Sequence, residues 1–257
     1  MRNVLAIAGK DIRSYFVSPI AYVVMTGFML LGGWFFFNLL ARFNFLLQLY
    51  MGFRNPQAIE RLNLNEFVIS PLLHNLSVVL VILIPVITMR AFAEEKRSGT
   101  YELLMTAPLS VTEIVMGKFL GAFFCVFVML LLTLTFPVIL VMYGNPEIGV
   151  LLSGFLGLLL LATAFLSVGL LTSSFTQNQI IAAVSCLVIL LLLYVISWPA
   201  ETAGESMGAV LRYLSLTEHF GEMVKGIIDT RDVVYFLSVI ALSLFLTQRS
   251  VESLRWR

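Results

Sequence analysis

Six runs of mostly apolar residues, at 20–40, 72–88, 119–142, 151–174, 180–198 and 233–246 with its flank, approach the length that crosses a bilayer. That length is about 20 residues for roughly 30 Å of hydrocarbon. In lipid every backbone polar group must find a partner inside the chain, so the expected fold is an all-α membrane protein with six transmembrane helices and both termini on one side. Composition agrees: 60% of residues are hydrophobic, 12% are charged and mean hydropathy is +0.97, against about 45–50% apolar and about 25% charged in soluble domains. The second and last runs are the weakest, because Pro71 and Pro85 interrupt one while Ser243 and Thr247 dilute the other.

Lys and Arg divide unevenly between the two sides. Arg2, Lys10, Arg13, Arg90, Lys96, Arg97, Lys118, Arg249, Arg255 and Arg257 fall on one side, and Arg42, Arg54, Arg61, Arg212, Lys225 and Arg231 on the other. The positive-inside rule makes the first side cytoplasmic. Glu201, Glu205, Glu218, Glu222, Asp229 and Asp232 gather in the outer connection before the last run. No cleaved signal is expected, since the run from Ile20 is span-length and lacks a small-residue cleavage pattern.

The densest charge in the chain lies at 90–118, between the second and third runs, and so faces the cytosol. Gly99 and Thr100 can open a short helix through Tyr101, Glu102, Leu103, Leu104 and Met105, which Ala107 and Pro108 close. Ser110 followed by Glu113 reads as a capping box that starts the helix running into the third span. A solvated loop would explain Glu94, Glu95, Lys96 and Arg97 alone, but the apolar Tyr101, Leu103, Leu104 and Met105 beside them mark a contact surface.

Before Pro19, Leu5, Ala8, Ile12, Tyr15 and Phe16 share one helical face, opposite Arg2, Asn3, Lys10 and Arg13. This is the pattern of an interfacial helix over residues 1–18 whose basic face meets anionic headgroups. Cys125 and Cys186 both fall inside spans and read as small buried hydrophobes. Gly117 and Gly121 form a small-xxx-small pair, and Gly154, Gly157, Thr163, Ser167 and Gly169 line the fourth span. Either set could pack two subunits together or pack helices within one.

The run RAFAEEKRSGTYELL at 90–104, followed by PLS at 108–110 and GK at 117–118, resembles the signature of type-2 ATP-binding-cassette (ABC) exporter permeases. SSFTQNQI at 173–180 with Ala182 resembles the gliding-motility subgroup of that family. So do YLS at 213–215, HF at 219–220 and GIIDTRDVVYF at 226–236. The similarity covers nearly the whole chain and is poorest at 41–70.

The resemblance implies a single permease domain over 1–257, with an elbow helix, six spans and a coupling loop at 90–118. Its ATPase-coupling residues would be Glu94, Glu95, Lys96, Arg97, Gly99, Thr100, Tyr101, Glu102, Leu103 and Leu104. It also implies an outer re-entrant or loop segment at 199–232 that closes the exit, with His219, Phe220, Gly226, Asp229 and Arg231 in it. The implied partners are ABC ATPase subunits that bind ATP and Mg, a second permease chain of the same or another kind, membrane lipids and, in the gliding-type complex, a membrane protein with a large external domain. No nucleic acid is expected. The implied location is the bacterial cytoplasmic membrane with both termini inside.

The chain itself is not expected to hydrolyse ATP, because Thr112 stands where a phosphate-binding loop needs its first glycine and Phe119 where it needs Ser or Thr. Nor does it read as an intramembrane enzyme: His74 and His219 belong to no His-Glu-x-x-His run and no acid pair lies inside a span. A channel is disfavoured by the scarcity of ionisable residues in the spans. The readings left are ATP-driven export, for which an apolar pathway would suit a lipid or amphipathic substrate, and a mechanical or scaffolding subunit of an ATPase-driven complex.

Overall fold

A computed structural model describes residues 2–52, 62–106, 108–202 and 204–255. Arg54, Arg61, Ala107 and Arg257 lie outside the described residues. Every regular element among the described residues is helical, and six helical stretches are long and apolar enough to cross a membrane. Helix α1 (Arg2–Val17) is followed directly by α2 (Pro19–Gly52). Pro19 stands at the first position of α2, where its missing N–H costs nothing, and the Ser18 hydroxyl accepts from Ile20 N at 3.4 Å.

At 34 residues α2 is about 51 Å long, well beyond a bilayer's apolar thickness. Residues 41–52 therefore continue as helix past the span instead of forming the connection expected there. A π-turn (Asn65–Ile69) leads into α3 (Ser70–Thr88), and the Ser70 N–H reaches back five residues to Asn65 O. Pro71 has no N–H to give the preceding turn, so an ordinary α pattern could not be completed at that point. The third span is broken where one helix was expected. It comprises α6 (Val111–Thr133) and α7 (Thr135–Tyr143), because Pro137 cannot donate to Thr133 O and its ring crowds that carbonyl. Between α3 and α6 lie two short helices, α4 (Ala93–Ser98) and α5 (Thr100–Thr106).

The remaining spans are α8 (Ile148–Phe175), α9 (Gln179–Val195), opened by the Asn178 side chain accepting from Ile180 N at 2.9 Å, and α12 (Thr230–Arg255). The segment at 199–232, expected as short outer helices that dip back towards the membrane or as loop, holds a 3-10 turn (Trp198–Glu201), α10 (Glu205–Leu214) and α11 (Leu216–Val224). Asn3 with Glu113 and Ser174 with Ser250 bring both chain ends and the α4–α5 loop to the same side, the inner side.

Helix α8 is the centre of the fold. It packs on α3, α6, α9, α11 and α12, and Leu158, Leu161, Phe165, Leu166 and Leu170 along it are wholly buried. Gly154, Gly157 and Gly169 of it are covered within the chain: a Cβ on Gly157 would lie 2.9 Å from Met223 and one on Gly169 would lie 2.2 Å from Thr88 Oγ1. Gly117 and Gly121 are filled in the same way by Ile7 and Asp11 of α1. Of the two roles open to these small residues, packing within one chain is the one observed. Cys125 and Cys186 are buried and free.

Gly169→Ala should therefore push α3 and α8 apart and destabilise the protein by about 1–3 kcal/mol, the usual cost of overpacking. Thr88→Ala added to it should restore part of the loss. Thermal unfolding in detergent reads both changes, and an unchanged melting temperature for Gly169→Ala would contradict the packing described.

Candidate functional site

The inner face of the protein is organised by a lysine in the first turns of α6. Lys118 is 2% exposed, and its ammonium is directed to three acceptors: Ala91 O at 2.6 Å, Glu95 Oε2 at 2.8 Å and Asp11 Oδ2 at 3.6 Å. The Ala91 carbonyl accepts a hydrogen bond from it, and the two carboxylates face it as ion pairs. The ammonium also lies 5.2 Å from the ring centre of Phe92, itself wholly buried. Lys10 approaches Glu95 at 3.2 Å from the solvent side. Two cations and two carboxylates thus tie α1, α4, α6 and the turn before α4 into a neutral knot. It lines a pocket of about 170 Å³ together with Tyr15, Ser18, Arg90 and Glu94.

The carboxyl of Asp11 is raised from its ordinary value of 3.8, first by burial and then by Glu95, with Lys118 opposing. Tyr15 is raised as well, chiefly by burial of its hydroxyl. The docking of α1 explains these environments. Ile7 and Ala8 are buried against Gly117 and Gly121, and Asn3 Nδ2 donates to the Glu113 carboxylate at 3.1 Å. Leu5, on the apolar face of this helix, is 68% exposed, because small residues on α6 accept Ile7 and Asp11, four apart, and that choice sets the rotation of α1.

The capping box forms as the spacing of Ser110 and Glu113 predicts. Ser110 Oγ accepts from Glu113 N at 3.2 Å and Glu113 Oε2 accepts from Ser110 N at 3.0 Å. The short helix opened by Thr100 is α5, and Gly99 closes α4 in the left-handed region at φ 74°. Residues 94–97, expected as polar contacts in an extended loop, are helical and divide between two roles. Glu94 pairs with Arg90 at 2.8 Å and remains partly exposed, and Arg97 is exposed. Glu95 is turned inward to Lys118 and is less accessible than Glu94 or Arg97. Lys96 is half-buried and donates to the carbonyl of Ser174, at the end of α8.

On α5, Glu102 and Leu103 face outward, Leu103 at 72% exposure, while Tyr101 and Leu104 pack towards the core. The Tyr101 hydroxyl is pushed up to about 12 by burial and by Glu95. The exposed part of the loop is therefore a small face made by Arg97, Gly99, Thr100, Glu102 and Leu103, stiffened from behind.

On the outer side, His219 and Phe220 of α11 are buried. His219 Nδ1 lies 2.7 Å from Asp232 Oδ1, Nε2 lies 2.9 Å from Tyr213 O, and the ring stacks on Tyr235 at 4.0 Å. Tyr235 in turn donates its hydroxyl to Leu214 O at 2.7 Å. Gly226, at φ 94°, turns the chain against Val150, and Asp229 caps the start of α12 by accepting from Arg231 N at 2.9 Å. Arg231 itself is exposed. Asp11, Lys10, Lys118 and Ser173 are members of this architecture that are not among the candidate site residues, although Lys118 and Ser173 fall in the motifs at 117–118 and 173–180. The signal for the first three is a lone acid on a basic helix and a lysine placed early in a span.

Lys118→Met should leave Glu95 and Asp11 as buried carboxylates without their partner and cost about 3–5 kcal/mol of stability, read as a lower melting temperature and faster proteolysis at α1. The pH dependence has a definite sign. A carboxyl raised in the folded state contributes stability that is present below its ordinary value of 3.8 and is lost as pH rises through its folded value. The penalty of Asp11→Asn relative to the native chain should therefore shrink as pH is raised from about 4 towards 7; a penalty that grows over that range would contradict the assignment.

A model of the ABC-2 family transporter proteins matches residues 5–248 of the chain. No curated protein matches it.

Proposed function

We propose, for a chain that belongs to the ABC-2 transporter family and is thereby the multi-pass membrane subunit of an ABC transporter served by an ABC ATPase, that α5 is the coupling helix and that the complex is an exporter. The observation that carries this reading is the two-sidedness of α5. It turns Tyr101 and Leu104 into the fold and leaves Leu103, an apolar side chain at 72% exposure, beside Glu102 on the inner side. A seven-residue helix has no stability of its own in water, so it is held in place by what lies behind it. An exposed leucine held rigidly next to a carboxylate is suited to a groove on a soluble subunit.

In this reading the inner side is cytoplasmic, in accord with the excess of Lys and Arg on it, and the membrane is the bacterial inner membrane. Two permease chains receive two ATPase subunits. ATP closes the ATPases together, the seated α5 helices move with them, and the spans exchange inward-open for outward-open packing. The gliding-motility type of complex remains the subgroup whose motifs fit best. A lipid or amphipathic molecule is the proposed cargo, since charged side chains are scarce along the spans and a pathway between two such chains would be apolar. A substrate-free mechanical role is the outcome that the same experiment separates.

The experiment is purification of the tagged full-length chain from its own membranes in mild detergent, with mass spectrometry and an ATPase assay on the eluate. Co-purification of an ABC ATPase, lost or weakened at least about tenfold by Glu102→Ala with Leu103→Ala while the permease still accumulates, is the expected result. Retained ATPase binding in that variant would place the contact elsewhere. ATP hydrolysis stimulated by lipid in reconstituted vesicles supports export, and its absence with an external-domain partner bound supports the mechanical role. Glu94→Lys should weaken docking mainly at low salt. Glu95→Lys should instead disrupt the inner knot and lower the melting temperature.

A further inference from the structure

We infer that α8 is the lever that carries movement of the coupling loop to the outer side, and that Ser173 is the positioning residue fastening the loop to it. This rests on the reading of α5 as the ATPase contact and concerns the route by which motion of that contact crosses the membrane.

Helix α4, next to α5, is six residues long and has no cap of its own, since Phe92 stands at its N-cap. The cap comes from another helix. Ser173 Oγ, in the last turn of α8, accepts from Phe92 N at 3.1 Å and Ala93 N at 3.2 Å, and its own O–H donates to Met89 O at 3.2 Å. In return Lys96 of α4 donates to Ser174 O, one of the carbonyls that the end of α8 leaves without a helical partner. Each helix supplies what the other's terminus lacks. Ser173 and Ser174 are wholly buried, so water cannot take over either bond. A bond from Ser174 Oγ to Ser250 Oγ at 2.9 Å extends the junction to α12. A helix as short as α4 keeps its shape only through such contacts, so moving it intact moves the end of α8.

The opposite end of α8 is joined as tightly to α11. Ser153 Oγ donates to Met223 O at 2.7 Å, and Gly157 lets Met223 and Phe220 approach to 2.9 and 3.3 Å of where a Cβ would stand. From Ser153 to Ser173 is about 30 Å of helix without proline or break. Three other spans adjoin the loop: α6 gives way to α7 at Leu134, α3 carries Pro85 in its last turn, and α9 is unbroken and touches both α4 and α11 but has no hydrogen bond to the loop among the described residues. Among these spans α8 is the one hydrogen-bonded to the loop at one end and to α11 at the other, and α11, with His219 latched to α12, is what it would displace.

Hydrogen exchange read by mass spectrometry tests this on the full-length chain in lipid nanodiscs with its ABC ATPase, without nucleotide and with Mg-ATP plus vanadate. The native complex should change its exchange at 216–229 between the two states. Ser173→Ala should keep ATPase affinity within about twofold and lose about fivefold or more of that nucleotide response. Should Ser173→Ala fold poorly, Ser153→Ala breaks the other end of the same route and should give the same separation of binding from response. A full response at 216–229 in a folded Ser173→Ala or Ser153→Ala complex overturns the lever. So does a native complex that binds ATPase with no change at 216–229. Failure of the α5 reading looks different: Glu102→Ala with Leu103→Ala would retain both ATPase affinity and the outer response, and the lever would fall with it.

Discussion

The ammonium of Lys118 is the constraint on which the inner half of the molecule depends. An unpaired charge at 2% exposure would cost several kcal/mol, so each of its acceptors must be held in place, and they come from three separate pieces of chain. The carboxylate of Glu95 fixes α4, the carbonyl of Ala91 fixes the turn before it, and the carboxylate of Asp11 fixes α1. Such a cluster adds little net stability over an apolar equivalent, because desolvation consumes most of the attraction. What it adds is uniqueness. A helix docked only by Ile7 and Ala8 could slide along the small residues of α6, whereas one that must also present Asp11 to Lys118 has one register.

Packing in the membrane follows a different rule. Lipid tails are as apolar as the side chains they contact, so helices associate through close backbone approach and polar bonds instead of through exclusion of water. Gly154, Gly157 and Gly169 let α3 and α11 close on α8, and Ser153, Ser173 and Thr88 make polar bonds at the same level as those approaches. Thr88 satisfies its hydroxyl on Ile84 O within its own helix, which leaves its surface free to fill the space over Gly169. Gly154, Gly157 and Gly169 of α8 are therefore covered by this chain's own helices.

The spans, the capping box and the short helix at Thr100 are legible in the sequence because each rests on a local pattern: an apolar run, a Ser and Glu three apart, a glycine before an amphipathic turn. The partition of residues 94–97 is not, since nothing local says that Glu95 will find a lysine twenty-three residues on while Glu94 pairs back to Arg90. The direction of α1 is hidden for a similar reason. Its most apolar face includes Leu5, but the surface waiting for it on α6 is shaped by Gly117 and Gly121, and shape decides. The break at Leu134 is signalled by Pro137 but masked by apolarity that runs through it without interruption. Residues 199–232 carry turn-forming glycines, yet α11 forms because α8 and α12 supply surfaces for it, and α10 packs on the Trp198–Glu201 turn and on α11.

The two ends of the protein solve the same problem with different chemistry, and the difference bears on how it can move. At the inner end, charges meet across four segments, with Lys10 and Arg90 bordering the same pocket as Lys118. At the outer end the contact is tight. His219 is held between the Tyr213 carbonyl at 2.9 Å and the Asp232 carboxyl at 2.7 Å. With Tyr235 stacked over the ring and bonded to Leu214 O, α10, α11 and the start of α12 are fixed to one another. A cap built this way does not open by loosening. It opens, if driven, by moving as a piece, which requires a rigid connection to the side where the driving contact is made; closely packed interfaces of this kind shift between discrete arrangements instead of deforming gradually.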